Sequence, residues 1–439
     1  SVDGTEILKV ELAPNSVFDK AGNVATIEQL NNTVQLKDKS KPSMTSLKLS
    51  SNNPFFTNLA KENEEVTLTM VADEEVTPPT VVFKSGNNDI PNTRITVTPS
   101  TGTNTDYTAK YTVNASDTNG SVSFEVSGFQ DGNNNVGNTS TAVTDTSSVT
   151  IDTTLPTLSK VVMTSSNILN NSLAKSGETV TLDISVNEHI NTPSISFSSD
   201  NQTIPGPITI TGENDSYTAQ FGVNASDKDG PVSFTISNIS DLAGNVLSDV
   251  TALTSGTTVT IDKTAPSLST VTLQSNNTEN TDSAKSGDSV ELTIIANEDI
   301  TTPQVQITSG DVSVNNAISV DGTGQNYTAS YTVSSSDVSG SVAFIIENYT
   351  DLAGNAGPTV KTTTDSSNVT IDLVSPILTT VSIASDNATN TLAKASDTIT
   401  LTMNASEDIS APTVSFSSGG KLVTLSLIHI SEPTRPDYI

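Results

Sequence analysis

The chain has 439 residues, no Cys, no Trp, and 49 acidic against 19 basic side chains, a formal charge of −30. Such a charge argues against nucleic acid and anionic membrane surfaces as partners, since both are polyanions. Zero Cys excludes disulfides, thiolate metal sites and thiol nucleophiles, and two histidines, His189 and His429, are too few for a recurring His-based catalytic centre. Apolar residues make up only 33% of the chain, but they are periodic along it, which a disordered chain does not require.

Ser1 opens without a basic stretch or an apolar leader, and no apolar run approaches the ~18 residues that span a bilayer. In chain order, residues 1–41 carry "FDKAGN" at 18–23 and then Asp38. They read as the F and G strands, the last third of a repeat. Pro42, Pro156, Pro266 and Pro376 then open successive units at spacings of 114, 110 and 110. Lys61, Lys175, Lys285 and Lys394 stand in "AK" segments, and Glu74, Glu188, Glu298 and Glu407 each follow 13 residues later. Tyr107, Tyr217 and Tyr327 open "YTA"; Asp131, Asp241 and Asp351 lie 24 residues on, and Asp152, Asp262 and Asp372 a further 21. The predicted domains are therefore complete repeats at 42–155, 156–265 and 266–375, with the N-terminal part of another at 376–424. Residues 425–439, "LSLIHISEPTRPDYI", match nothing in the repeats. They resemble a translated sequencing-adapter read-through and are expected to be a non-native tail. The interval from Glu74 to Tyr107 is 33 residues where the next two repeats have 29, so a free surface loop is expected there.

Within the second repeat, Val180, Leu182, Ile184 and Val186 alternate with polar residues. So do Tyr217, Ala219, Phe221 and Val223, then Val232, Phe234 and Ile236, then Val259 and Ile261. Period 2 marks strands with one buried face. About seven short strands per ~110 residues, parted by Gly, Pro, Asn and Asp clusters, predict an all-β chain of tandem immunoglobulin-like β-sandwiches. Lettered A to G, the strands place the B–C loop (187–193) and the F–G loop (241–245) at the N-terminal pole. The A–B loop (174–178) and the E–F loop (224–230) fall at the C-terminal pole. Short linkers would stack such units into an elongated rod.

Acidic residues recur at these poles. Before strand B stand Glu64, Glu178, Asp288 and Asp397; in the E–F loop, Asp117, Asp227 and Asp337; in the linkers, Asp38, Asp152, Asp262 and Asp372. Glu74, Glu188, Glu298 and Glu407 open the B–C loop, followed by an acid except at His189, and Asp131, Asp241 and Asp351 start the F–G loop. Converging carboxylates repel one another unless a cation sits among them, and several hard oxygen ligands suit Ca²⁺. The candidate metal ligands are Asp152, Glu188, Asp241, Asp117 and Glu64 at one junction, with Asp262, Glu298, Asp351, Asp227, Glu178, Asp372, Glu407 and Asp337 at the others. Equally, "DLAGN" (241–245) has the residues of a tight turn with Gly in the left-handed region. In the first repeat Asn134, the next-best residue there, replaces that Gly. The two roles are compatible.

Other signals are weaker. "SLAK" at 172–175 matches the S-x-x-K of serine β-lactamases, but the other repeats have Asn58, Asp282 and Thr391 in place of Ser172, and the companion motifs are missing. The recurring Lys reads as a stem laid over the sandwich end or a partner for the pole acids. The Tyr of "YTA" reads as core, from its phase with Ala and Phe. The "NAS" sequons at Asn114, Asn224 and Asn404 fall in surface loops.

"DLAGN" followed by "VTIDKTAP" (259–266) resembles the bacterial immunoglobulin-like repeats of large secreted or surface adhesins, over about residues 1–424. The fourth repeat departs from it with "IDLVSP" and the first junction with "LKDKSKP". The resemblance implies an extracellular, non-enzymatic stalk in adhesion or biofilm proteins, with neighbouring repeats as partners and host or biofilm glycans or proteins bound elsewhere. It also implies Ca²⁺ at domain junctions, with Asp152, Asp262, Asp372, Asp241 and Asp351 as ligands. Two rival readings are a glycan- or protein-binding module, which predicts one repeat with a distinctive aromatic or charged patch, and accessory repeats of a large secreted enzyme.

Overall fold

A computed structural model describes residues 7–26 and 32–423; the segment 425–439 lies outside them. The chain divides into two compact units, the first ending at Thr264 and the second starting at Ala265. The first contains two complete immunoglobulin-like β-sandwiches, and the second contains one.

The middle sandwich shows how alternation becomes layers. Thr179–Val186, Ser216–Gly222 and Gly230–Ser237 each bury every second residue. One sheet runs in the order Leu158–Ser165, Thr179–Val186, Ser216–Gly222, Thr209–Glu213, which is A-B-E-D. The other runs Leu173–Ala174, Thr260–Ile261, Gly230–Ser237, Ser194–Ser199, Gln202–Thr203, which is A′-G-F-C-C′. All pairings in them are antiparallel except that of Leu173–Ala174 with Thr260–Ile261, which is parallel. Strand A thus starts on one sheet and ends on the other, which ties the two faces together at the C-terminal pole. The first and third sandwiches repeat both sheet orders.

Between the faces, Phe197 and Phe221 pack with ring centroids 4.9 Å apart, among Leu182, Ile184, Val232, Phe234 and Ile236. Each sandwich closes its own core. The "YTA" tyrosines are core: Tyr107, Tyr217 and Tyr327 are buried. Strand G is short, only Thr260–Ile261. The Ser/Thr-rich stretch before it supplies hydroxyls to strand A where a ladder would otherwise run. Thr254 Oγ1 accepts from the Val161 N–H at 2.8 Å, and Thr144 Oγ1 and Thr364 Oγ1 do the same for Leu47 and Val271. Those N–H groups would otherwise be exposed edge donors.

The flanking parts are less buried. Ile7–Lys9 pairs with Thr33–Gln35, and Leu378–Ser385 with Ile399–Ala405. Val381 and Ile383 are 57% and 64% exposed, whereas their counterparts one repeat earlier, Val271 and Leu273, are 0% and 1% exposed. The residue pattern is the same; among the described residues only the pair Phe416–Ser418 and Lys421–Val423 stands at the positions of the opposing sheet.

The long interval after Glu74 is not simply free loop. It includes a 3₁₀ turn, Asn92–Arg94, and Arg94 reaches back to the E–F loop. Its guanidinium donates to Asp117 Oδ1 at 2.6 Å and to Oδ2 at 2.7 Å, and lies over the Tyr111 ring.

Candidate metal centre

The N-terminal pole of the second sandwich is built from a turn, a loop and a linker. In the turn, Asp241 Oδ1 accepts from the N–H groups of Gly244 (2.7 Å) and Asn245 (2.9 Å), and its Oδ2 accepts from Asn245 Nδ2 at 2.7 Å. Gly244 has φ +91°, which closes the turn in the conformation glycine adopts without penalty. In the first sandwich Asn134 takes this place at φ +63°, and Asp131 accepts from Asn135 in the same pattern. The Asp at the head of the motif is therefore first of all the keystone of its own turn.

The B–C loop carrying Glu188 is tied on three sides. Asn187 Oδ1 accepts from the Thr157 N–H (2.7 Å), the Asn191 N–H bonds the Ser240 carbonyl (2.8 Å), and the buried Tyr217 hydroxyl donates to the Ile190 carbonyl (2.9 Å). Tyr107 and Tyr327 make the same bond, to Val76 and Ile300. The linker carries Asp152, whose Oδ1 accepts from Asn119 Nδ2 (2.9 Å) and the Thr154 N–H (3.0 Å). Asn245 Nδ2 also donates to the Asp152 carbonyl at 2.9 Å, so one amide clasps both the turn and the linker.

These ties bring Asp152, Glu188 and Asp241 together, with one carboxylate oxygen of each within 4.8 Å of the others. They line a cavity of about 200 Å³ with Leu59, His189, Leu242 and Ala243. Asp38, Glu74 and Asp131 form the same triad at the first sandwich, where Asn135 Nδ2 again donates to the linker carbonyl, that of Asp38. Burial, with Asp152 and Asp241 beside it, pushes the Glu188 carboxyl above the ordinary glutamate value. Burial, with Asp131 and Asp38, does the same to Glu74. Asp131 goes the other way: burial acts to raise it, but the Asn135 side chain and the backbone N–H groups of the turn hold it below the ordinary aspartate value.

The donor set fits a hard divalent cation. Two oxygens bound to one Ca²⁺ at ~2.3–2.6 Å lie at most about 5 Å apart, and the triads meet that limit. All donors in the triads are carboxylate oxygens.

Five of the remaining sequence candidates are held elsewhere. Asp117 is locked to Arg94. Glu64 Oε2 accepts from the Lys61 N–H and Asn53 Nδ2, both at 3.0 Å, and Glu178 does the same for Lys175 and Asn167. Asp227 Oδ2 caps the Asn224 N–H at 2.8 Å, while its buried Oδ1 accepts no hydrogen bond. Asp337 accepts from Asn315 and Ser334. These five acids were placed at junctions by loop position alone, and they do not join the triads. Glu298 and Asp351 occupy in the third sandwich the positions of Glu188 and Asp241, and Asp351 holds its turn through Asn355. Asp262 and Asp372 cap the following N–H groups of Thr264 and Val374. Glu407 lies in the incomplete fourth repeat, with one buried oxygen lacking a hydrogen bond.

No protein-family model matches the chain, and no curated protein matches it. Similar solved structures are tandem immunoglobulin domains. The I-band fragment I67-I69 from titin is 11% identical with a TM-score of 0.34, covering 76% of this chain and 99% of its own. The mouse nectin-like molecule 4 ectodomain (Ig1-Ig3) is 12% identical with a TM-score of 0.26, covering 72% and 95%. The complex of Dpr2 Ig1-Ig2 with DIP-Theta Ig1-Ig3 gives 12% and 0.25, covering 76% and 100%. At such scores the fold assignment rests on the strand order of each sandwich.

Proposed function

We propose that the chain is a non-enzymatic structural segment of an extracellular bacterial adhesin or biofilm-type surface protein, whose sandwiches bind Ca²⁺ at their N-terminal poles. The observation that supports the metal reading is the recurrence of one triad, linker Asp with B–C Glu and F–G Asp, at two successive sandwiches. Each triad takes two carboxylates from one sandwich and the third from the linker that leads into it; Asp152 is itself tied to the preceding sandwich, through the Ala60 carbonyl and the Asn119 side chain. Affinity in the range of extracellular modules, Kd about 10⁻⁴–10⁻³ M, would leave such sites empty in cytoplasm and filled outside. The adhesin assignment is carried by the sequence resemblance, and host or biofilm ligands would be bound by domains beyond this segment. Calorimetric titration of the full chain with Ca²⁺ tests the metal reading. Saturable heat that falls in stoichiometry with Glu188→Gln and again with Glu74→Gln is expected; no heat at millimolar Ca²⁺ overturns it.

A binding-module reading is favoured by one observation. Phe55 and Phe56, in the A–B loop of the first sandwich, are 71% and 45% exposed. Their N–H groups are fixed on the buried Asn53 Oδ1 at 2.9 and 3.0 Å. A glycan array in which Phe55→Ser abolished saturable binding would put this reading first.

A further inference from the structure

The acid, Lys and Asn at the C-terminal pole form a recurring unit that the metal reading does not use. Its sequence pattern is Asn53, Lys61, Glu64; Asn167, Lys175, Glu178; Asn277, Lys285, Asp288; and Asn387, Lys394, Asp397. Within every repeat one carboxylate oxygen accepts from both the Asn side chain and the Lys N–H. The distances are 3.0 and 3.0 Å for Glu64, 3.1 and 2.8 Å for Glu178, 2.8 and 2.9 Å for Asp288, and 2.8 and 2.9 Å for Asp397. The Asn oxygen meanwhile caps loop N–H groups, as at Phe55, Leu169, Glu279 and Thr389. The acid thus acts as a bracket. It spends no hydrogen bond on a ligand; it fixes an amide and the root of an ammonium-bearing stem.

In the first sandwich these two groups act on the second. Lys61 Nζ donates to the Gly244 carbonyl at 2.6 Å and Asn53 Nδ2 to the Ala243 carbonyl at 2.8 Å. Both acceptors lie at the tip of the "DLAGN" turn, whose carbonyls are turned outward because Asp241 gathers its N–H groups inward. Glycine at 244 serves both the turn and the contact: its φ is +91°, and it leaves room for Lys61 Nζ, which a Cβ there would approach to 3.3 Å. The two amides at the contact are buried: Asn53 is 3% and Asn245 8% exposed. The contact is also reciprocal, since Asn245 Nδ2 donates back to the Asp152 carbonyl.

We infer that the Asn–Lys–acid bracket is a receptor for a D-x-A-G-N turn, and that it docks the first sandwich on the second through protein hydrogen bonds that need no ion. The partner is defined by its chemistry: two consecutive outward carbonyls on a turn whose N–H groups are already satisfied. Metal at the triad would then tighten a junction already set, and the recurring Lys is a docking residue instead of an idle stem over the sandwich end.

The chain has no Cys, so two introduced cysteines label uniquely. Thr69→Cys and Ser196→Cys lie on exposed strand positions of the first and second sandwiches. Pulsed electron resonance between spin labels there, on the full chain in chelator, reads the junction with metal excluded. A single narrow distance is expected, lost in Lys61→Met, which keeps the stem but removes the ammonium, and restored in Lys61→Arg. A broad distribution already in the parent, or an equally narrow one in Lys61→Met, overturns the inference. Far-ultraviolet circular dichroism of each variant confirms that the sandwiches are intact. Because chelator is present throughout, the result stands apart from whether the triads bind Ca²⁺.

Discussion

Replacing Arg94 with Leu should destabilise the first sandwich and leave the others unchanged. The guanidinium holds both oxygens of Asp117 and also donates to the Thr112 carbonyl. The Asp117 side chain is 5% exposed and that of Arg94 21%. Breaking a fully buried pair from one side costs about 3–5 kcal/mol, and losing hydrogen bonds to a charged group about 1.5–3. With one-fifth of Arg94 in solvent and water able to follow the truncation, about 2–3 kcal/mol is expected. For a domain of this size about 4 °C accompanies each kcal/mol, so the transition should fall by about 8–12 °C. Calorimetry of the full chain, with hydrogen exchange to identify the first sandwich, measures it. A fall under about 2 °C, or equal falls in all sandwiches, would refute the reasoning. Acid supplies a second check. Burial acts to raise the Asp117 carboxyl, but Arg94 and the Asn114 N–H hold it below the ordinary 3.8. Its contribution is therefore complete above 3.8 and lost as pH falls through the lowered folded value. The gap between parent and Arg94→Leu should close in that acid range.

Tyr217→Phe removes the donor to the Ile190 carbonyl, and a buried acceptor left bare costs about 1–3 kcal/mol. Hydrogen exchange in the B–C loop of the second sandwich should quicken, and unchanged protection would show that the loop is held by its backbone ties alone. Phe234→Ala, at a position 4% exposed, should cost about 3–5 kcal/mol. It should lower the second sandwich selectively, because its core cluster is separate from those of the first and third; joint loss of all transitions in calorimetry would contradict separate cores. The triads predict the opposite pH response to Asp117. Glu188 and Glu74 have folded values raised above 4.5, so the folded state binds protons before the unfolded one does. In chelator, stability should therefore decrease as pH rises from 4.5 through the raised values. Glu188→Gln should flatten that slope in melting curves, and an unaltered slope would mean the triad charges do not interact.

The turn residues Asp241 and Asn245 were legible because a tight turn is a local problem, solved by a side chain reaching its own backbone, and Gly244 and Asn134 mark its left-handed position. The tyrosines were legible as core from their phase, but not the bond each hydroxyl makes to a B–C loop carbonyl, since that needs the loop's position above strand E. Loop position alone grouped Glu64 and Asp117 with Asp152. Three-dimensional geometry separates them, because each found a nearer donor: the Lys61 N–H with the Asn53 amide, and Arg94. Arg94 lies in the one stretch where the repeats differ in length, so no repeat-to-repeat comparison points to its partner.

Alternation of apolar and polar residues, with turn residues at regular intervals, marked the main strands and the sandwich class, because which face of a strand can be buried is written in its own residues; the short A′ and C′ strands came only from the structure. Packing decided which acids converge. The distance between Asp152 and Asp241, 89 residues apart in the sequence, is set by the sheet order, by the clasp of Asn245 on the linker, and by Lys61 and Asn53 meeting the turn. The residues recur with the repeat, but recurrence does not say which of them meet, since each is a contact between residues whose separation along the chain carries no local constraint.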